Sequence, residues 1–478
     1  MGKSSKFSVK AALEQIAFSA LTLGNRTVYQ VNVRNYSREG TFKALEKDLD
    51  RVQDLGIDYI QLLPIHPIGV KNRKGTLGSP YAISNYRAIN PELGKEQDFY
   101  SLVQQMHRRG IGCIMDIVFN HTSPDSILAI KHPDWFIKNN RGLCGKIDDW
   151  TDVVDLDYEN EESGLWEYQI ETLKMWARIV DGFRCDVAAL VPVYFWGEAW
   201  DAVHEINPRF IWIAESVEPS FIMKLRERGY GCHSDGELYT VFNVCYDYDV
   251  LDDFKKCAAS FTDDGFLLEP YIDSLARQDW MYPENYIKLR CLENHDQERA
   301  AGVFPGKTDL RNWTAFSFFQ KGLGLIHAGQ EIGAVRRPDL FEKDPVDWTA
   351  EDTHDMKTLV SGLVLMRKDP LLLFSSFHAC PVGKNIVVAF HSVLENEILK
   401  KYEDASDSEV KALTTRRLIG VFGFHGKHEP VNVNTALAKF AGTTPVKDGV
   451  YGNRIGGRDI IIKESLINFD GEPVVFEA

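Results

Sequence analysis

The sequence predicts an α/β architecture: a (β/α)8 TIM-type barrel, a small insertion after its third strand, and a C-terminal antiparallel β-sandwich. Three observations carry this expectation. Eight short, apolar, β-branched runs alternate with longer amphipathic stretches between about residue 27 and residue 370. One connection, Asn120 to Glu162, is far longer than the others and rich in Asp, Gly and Trp, as inserted functional segments are. After Leu373 the pattern changes to short strands with turn residues between them.

Taken in order, the predicted barrel strands are Thr27–Val33, Asp58–Leu63, Gly112–Phe119, Asp181–Asp186, Phe210–Glu215, Leu238–Asn243, Tyr286–Cys291 and Leu323–Ala328. The first connecting helix, Phe42–Leu55, sets Leu45, Leu49 and Val52 on one face and charges elsewhere. Near-continuously apolar strands suit a parallel sheet covered on both faces, and eight of them suit closure into a barrel. The open, dinucleotide-binding sheet is the rival, but Gly322-Leu323-Gly324 lacks the third glycine and has His327 there. The domains are therefore expected at 1–119 and 163–373 for the barrel, with an N-terminal helical extension, at 120–162 for the insertion and at 374–478 for the sandwich. Sandwich strands are predicted at Ile386–Phe390, Leu418–Phe422, Arg458–Ile462 and Pro473–Phe476, and a charged insert, Glu395 to Arg417, reads as a solvated helix or a loop.

Composition narrows the partners. With 44% hydrophobic and 26% charged residues over 478, the chain buries a real core and is not disordered. The 54 Lys and Arg against 69 Asp and Glu leave −15, which repels polyanions, so neither nucleic acid nor an anionic membrane is an expected partner. No apolar run reaches the roughly 18 residues of a membrane span. Lys10, Glu14 and Gln15 break the first apolar stretch, which makes a poor secretory segment, and the eight cysteines form no C-x-x-C pair. A cytoplasmic location with reduced thiols is the expectation.

Barrel enzymes assemble their sites at the C-terminal ends of the strands. Here the third strand ends Asp116-Ile117-Val118-Phe119-Asn120-His121, the fourth Arg184-Cys185-Asp186, the fifth Ala214-Glu215, and the seventh leads into Glu293-Asn294-His295-Asp296. One acid after a strand is commonly a helix cap. Convergence is harder to explain that way: Arg184 and Asp186, two apart, share a strand face, and Glu215 and Asp296 would meet them at one mouth. Crowded carboxylates repel, a cost that points to function. Paired carboxylates with an arginine suit glycoside hydrolysis, where one acid stays ionised to attack the anomeric carbon and another holds a proton for the leaving oxygen.

At these residues the sequence resembles the α-amylase family, glycoside hydrolase family 13. Asp116–His121, Gly182–Ala188, Ala214-Glu215-Ser216 and Asn294-His295-Asp296 match its four short signatures in order, and Gly78-Ser79-Pro80-Tyr81, Asn90-Pro91-Glu92-Leu93-Gly94 and Gly329-Gln330-Glu331 are further similar stretches. The resemblance covers nearly the whole chain; the insertion looks like the family's domain B and the sandwich like its domain C. It implies Asp186 as nucleophile, Glu215 as general acid/base and Asp296 as stabiliser of the transition state through sugar hydroxyls. It places Arg184, His121 and His295 at the same subsite, Tyr81 under the sugar ring, and Asp116 bracing the arginine.

The implied activity is retaining hydrolysis of α-1,4 bonds in maltooligosaccharides or starch- and glycogen-derived glucans, with glucan transfer or α-1,6 cleavage as family alternatives and a non-catalytic glucan-binding paralogue as the remote one. An α-glucan is thus the expected partner. Many members carry Lys-His three and four residues after the nucleophile, where this chain has Ala189 and Leu190. That departure weakens both endo-amylase specificity and the family's structural calcium. Asn120 matches a usual calcium ligand, and Asp155, with Asp148, Asp149 and Asp152, is an oxygen donor nearby; no cofactor is expected to be required for chemistry. Glu218 is a rival acid, and Trp135, Trp150, Trp348 and Phe341 are candidate sugar platforms.

Overall fold

The computed structural model describes residues 22–146, 150–260, 268–393, 407–426, 428–440 and 443–478. The expected N-terminal extension before residue 22, Asp148 and Asp149, and the first part of the charged insert lie outside the described residues. Eight parallel strands close into a barrel in sequential order: β1 (Thr27–Val31), β2 (Tyr59–Leu62), β3 (Gly112–Ile117), β4 (Gly182–Cys185), β5 (Ile211–Ala214), β6 (Val244–Tyr246), β7 (Lys288–Arg290) and β8 (Leu323–His327). They are almost wholly buried, as a sheet faced by helices outside and packed side chains inside demands.

Two expectations are corrected. The sixth strand is not Leu238–Asn243. Ser234 and Glu237 form a capping box that starts a short helix, Asp235–Leu238, so the apolar run that follows is buried turn, and the strand begins at Val244. The predicted helix Phe42–Leu55 is two helices, Phe42–Lys47 and Leu49–Asp54, meeting at Asp48, whose φ of −101° and ψ of 4° are non-helical. Elsewhere the local logic is regular. Glu96–Arg108 buries Phe99, Leu102, Val103 and Met106, the spacing of one helix face, and carries Glu96 and Asp98 in its first turn and His107 and Arg108 in its last.

The chain divides into two compact units. One contains Val28–Asp249 and Arg337–Asp347; the other contains Val250–Arg336, Trp348–Ala478 and the segment ending at Thr27. In the first, the connection after β3 holds a two-stranded antiparallel ladder that pairs His121 with Asp155 and Thr122 with Val154, and a helix, Ile127–Lys131, capped by Ser126. In the second, two four-stranded antiparallel sheets face each other, ordered β9 (Ser376–Val382), β10 (Ile386–Ser392), β11 (Arg417–Gly423), β16 (Val474–Glu477) and β12 (Val431–Asn432), β15 (Leu466–Ile467), β14 (Ile460–Lys463), β13 (Gly449–Tyr451). Alternation sets their inner faces: Ile460 and Ile462 are buried beside Val388, Phe390, Ile419, Val421 and Phe476, while Ile461 and Lys463 are exposed. The charged insert contributes a helix, Asp407–Thr414. Among the described residues, no helix is long and apolar enough to cross a membrane.

Candidate active site

Strand register places the candidate residues of the first unit. The β3–β4 ladder pairs Asp116 with Arg184, and the β4–β5 ladder pairs Cys185 with Ala214. One step beyond, the Asp186 amide donates to the Ile117 carbonyl at 2.8 Å and the Glu215 amide to the Cys185 carbonyl at 3.0 Å. Both acids therefore stand just past the strand ends, held by backbone. Arg184 is fully buried among them. Its Nη1 donates to Asp116 Oδ1 at 2.9 Å and Oδ2 at 3.1 Å and to Asp186 Oδ1 at 2.9 Å, while Nη2 is ion-paired with Glu215 Oε1. Burial opposes the guanidinium charge, but Asp116 and Glu215 outweigh it and hold the group protonated well above its ordinary range. One fixed cation thus serves three carboxylates, a geometry only a planar, branched guanidinium supplies.

The turn after Asp186 is strained. Val187, a β-branched residue, has φ 36° and ψ 46°, a left-handed conformation that such residues rarely adopt. The conformation has a use: the Val187 amide donates to Glu215 Oε2 at 2.8 Å, so the residue next to one carboxylate orients the other. Tyr81 donates its hydroxyl to Asp116 Oδ2 at 3.1 Å, with its ring centroid 5.7 Å from the Arg184 guanidinium. His121 Nε2 lies 3.8 Å from Asp186 Oδ2. Asn120 Nδ2 donates to His121 Nδ1 at 3.2 Å, which assigns the ring proton to Nε2, facing the aspartate. Burial lowers His121 to about 4, keeping it neutral near pH 7. Tyr86 fixes the same residue from behind, donating to its carbonyl at 2.7 Å.

In the second unit, β7 runs into a tight polar turn. Asn294 Oδ1 accepts from the amides of Asp296 at 2.9 Å and Gln297 at 3.1 Å. His295 is buried, and its Nε2 is 3.0 Å from Asp296 Oδ2; Asp296 itself is exposed. Glu293 braces the turn, accepting from Arg299 Nη1 at 2.5 Å and from the Ala300 amide at 2.6 Å.

The remaining sequence candidates fall in several places. Asp155 is buried opposite His121 in the short ladder. Glu218 precedes the helix Pro219–Glu227 and is half-buried there. Trp135 is packing: it stacks on His132 at 3.9 Å and donates to the Ser163 carbonyl at 2.7 Å. Trp150 instead lies against His121, ring centroids 5.3 Å apart. Sequence reasoning missed Tyr246, whose ring centroid is 5.4 Å from the Arg184 guanidinium and whose carbonyl accepts from Ser216 at 3.0 Å. It sits at the end of the displaced sixth strand; reading the capping box at Ser234 would have found it.

A closed barrel with acids and a buried arginine at the C-terminal ends of its strands is the arrangement on which (β/α)8 enzymes build their sites. Comparison with known proteins is consistent with that class. The family described as alpha amylase, catalytic domain, matches residues 22–146, and the bacterial alpha amylase C-terminal domain matches residues 399–476. The crystal structure of an α-amylase from Lactobacillus plantarum is 38% identical, with a TM-score of 0.84, over 97% of this chain and 99% of that one. Alpha-amylase MalA of Haloarcula japonica is 25% identical over 72% of this chain, and an alpha-1,4-glucan:maltose-1-phosphate maltosyltransferase of Chlorobaculum tepidum is 32% identical over 46%. These two matches span 48% and 36% of the relatives' own length, so the chain spans less than half of either. The chain belongs to the α-amylase family.

Proposed function

We propose that this protein is a retaining glycoside hydrolase that cleaves α-1,4-glucosidic bonds in maltooligosaccharides or in glucans derived from starch or glycogen. The observation that carries the reading is the bridging of Asp186 and Glu215 by one guanidinium, which favours the close carboxylate pair, roughly 5–5.5 Å apart, of a retaining site. Asp186 attacks the anomeric carbon as the glycosidic C–O bond breaks, and Glu215 gives its proton to the departing oxygen. Glu215, now a carboxylate, takes a proton from water; the resulting hydroxide attacks the anomeric carbon and releases Asp186. Arg184 keeps Asp186 ionised, the His121 Nε2–H faces the same carboxylate, and Asp296 with His295 binds sugar hydroxyls as the oxocarbenium-like state develops.

Transfer of a glucan to another sugar is the second reading, favoured by the similarity to maltosyltransferases. It shares the covalent intermediate and differs only in what accepts it. Maltoheptaose and pullulan, digested by the wild type and by Asp186→Asn, separate the possibilities. Hydrolysis gives products no longer than the starting sugar, and Asp186→Asn lowers turnover at least a thousandfold. Longer products establish transfer, and unchanged turnover in the variant discards the mechanism.

A further inference from the structure

Backbone register carries β6 to the level of the acids. The β5–β6 ladder pairs Ile213 with Val244 and Ala214 with Cys245, so the next step sets Tyr246 abreast of Glu215. Paired residues of a parallel ladder project to the same face of the sheet. The Ser216 hydroxyl donates to the Tyr246 carbonyl at 3.0 Å, which fastens this strand end to the residue after the acid. Tyr248 packs edge-on against the Tyr246 ring, centroids 5.1 Å apart, and both residues are buried. The Tyr246 ring is thus held in place from its own strand and from the strand beside it.

What that ring meets is charge. The Arg184 guanidinium lies over it, 5.4 Å from the centroid, and over the Tyr81 ring at 5.7 Å, both inside the roughly 6 Å reach of a cation–π contact. The two tyrosines differ in access. Tyr81 is half-buried and bonded to Asp116, whereas Tyr246 is 0% exposed. A side chain with no exposed surface has none to offer a sugar, so its influence on catalysis runs through the arginine. The arginine has use for such a restraint. Its Nη1 is shared between Asp116 and Asp186, each at 2.9 Å, and its Nη2 is ion-paired with Glu215. An ion-paired guanidinium shifts toward whichever carboxylate holds more charge, and Asp186 loses its charge once it is bonded to a sugar. The attraction of a ring face does not change when a carboxylate does, and the bulk of the ring keeps water from that side.

We propose that Tyr246 is a positioning residue for Arg184: its ring holds the guanidinium where it bridges Asp186 and Glu215 while the charge on those acids changes through the reaction. This rests on the reading of the two acids given above, and adds to it the residue that keeps their shared cation still.

Replacements that keep the shape of the ring and change its charge test the proposal. Tyr246→Phe keeps the ring, and kcat on maltoheptaose should stay within about threefold of wild type. Phenylalanines bearing two, three and five fluorines in place of Tyr246 nearly preserve its size while draining the negative ring face stepwise. Along that series log kcat should fall steadily, to at least about tenfold below Tyr246→Phe, with KM within about twofold. Tyr246→Leu, shown folded at 25 °C by circular dichroism, should lose at least as much kcat, again with little change in KM. A flat fluorine series overturns the proposal, because packing alone tolerates the fluorines. A loss in Tyr246→Phe as large as in Tyr246→Leu also overturns it and assigns the role to the hydroxyl. A rise in KM with kcat unmoved overturns it too, as the mark of a binding residue. Asp186→Asn in the same assay keeps two failures apart. If that variant is inactive and the series is flat, only the role of Tyr246 falls; if it turns over like wild type, the reading beneath falls.

Discussion

Asp116→Asn probes the buried charge cluster with the least change of shape. The aspartate is fully buried, accepts twice from Arg184 Nη1, at 2.9 and 3.1 Å, and once from the Tyr81 hydroxyl at 3.1 Å. Asparagine keeps one carbonyl acceptor but replaces the other oxygen with an N–H donor. That donor must face either the guanidinium or the tyrosine hydroxyl, and one contact becomes a donor meeting a donor. Breaking one side of a buried ion pair costs about 3–5 kcal/mol. Asp186 and Glu215 still neutralise Arg184, so the lower end applies, about 3 kcal/mol. If that loss falls on the alignment of Asp186, kcat/KM drops about a hundredfold, since each 1.4 kcal/mol is about tenfold. It also lowers stability: about 2.1 cal/mol/K per residue over the 478 residues is about 1 kcal/mol/K, so about 3 kcal/mol moves the midpoint by about 3 °C. Initial rates of reducing-sugar release from maltoheptaose, with calorimetry on the same preparations, measure both. A variant within threefold of wild type in kcat/KM, with an unmoved midpoint, would refute the reasoning.

Two further predictions concern stability. Burial lowers His66 to about 4, and the ring donates from Nδ1 to the Ala88 carbonyl at 2.9 Å. Unfolded histidine takes its proton near pH 6.5, so between 6.5 and 4 the unfolded chain binds the extra proton and stability falls with pH, by about 3 kcal/mol for this site. Urea unfolding of wild type and His66→Gln at pH 7.5 and 4.5 checks this; equal losses on acidification in the two proteins would count against it. In the second unit, Asp369 Oδ2 accepts from Arg416 at 2.7 Å and Arg454 at 3.0 Å, and the same arginines reach Glu477 in β16, each at 2.7 Å to its nearer oxygen. Asp369→Asn should cost about 1–3 kcal/mol and speed amide exchange across β16, whereas unchanged exchange would mean the ring of charges contributes nothing.

What the sequence made legible, and what it did not, follows from the range of the interactions involved. Period-two alternation placed Arg184 and Asp186 on one strand face, and strand ends located Asp116 and Glu215; backbone ladders then bring these four together with no further information needed. The sixth strand slipped because Tyr239 to Asn243 reads as strand by composition, whereas Ser234 and Glu237, a few residues upstream, commit the chain to a helix first. Tyr246 was lost with it. Lys74 was illegible for a different reason. Its partner is the carboxylate of Asp152 across a long connection, and the loop that carries it is shaped by Phe341 and Glu342, far away in sequence. No local spacing encodes that triangle. The family signatures likewise mark where the acids stand but not what neutralises the rest of the insertion, since a lysine in a glycine-flanked loop resembles any solvated surface charge until the fold sets a buried acid beside it. Charge balance in this segment is therefore a tertiary property, set by residues that no short motif contains.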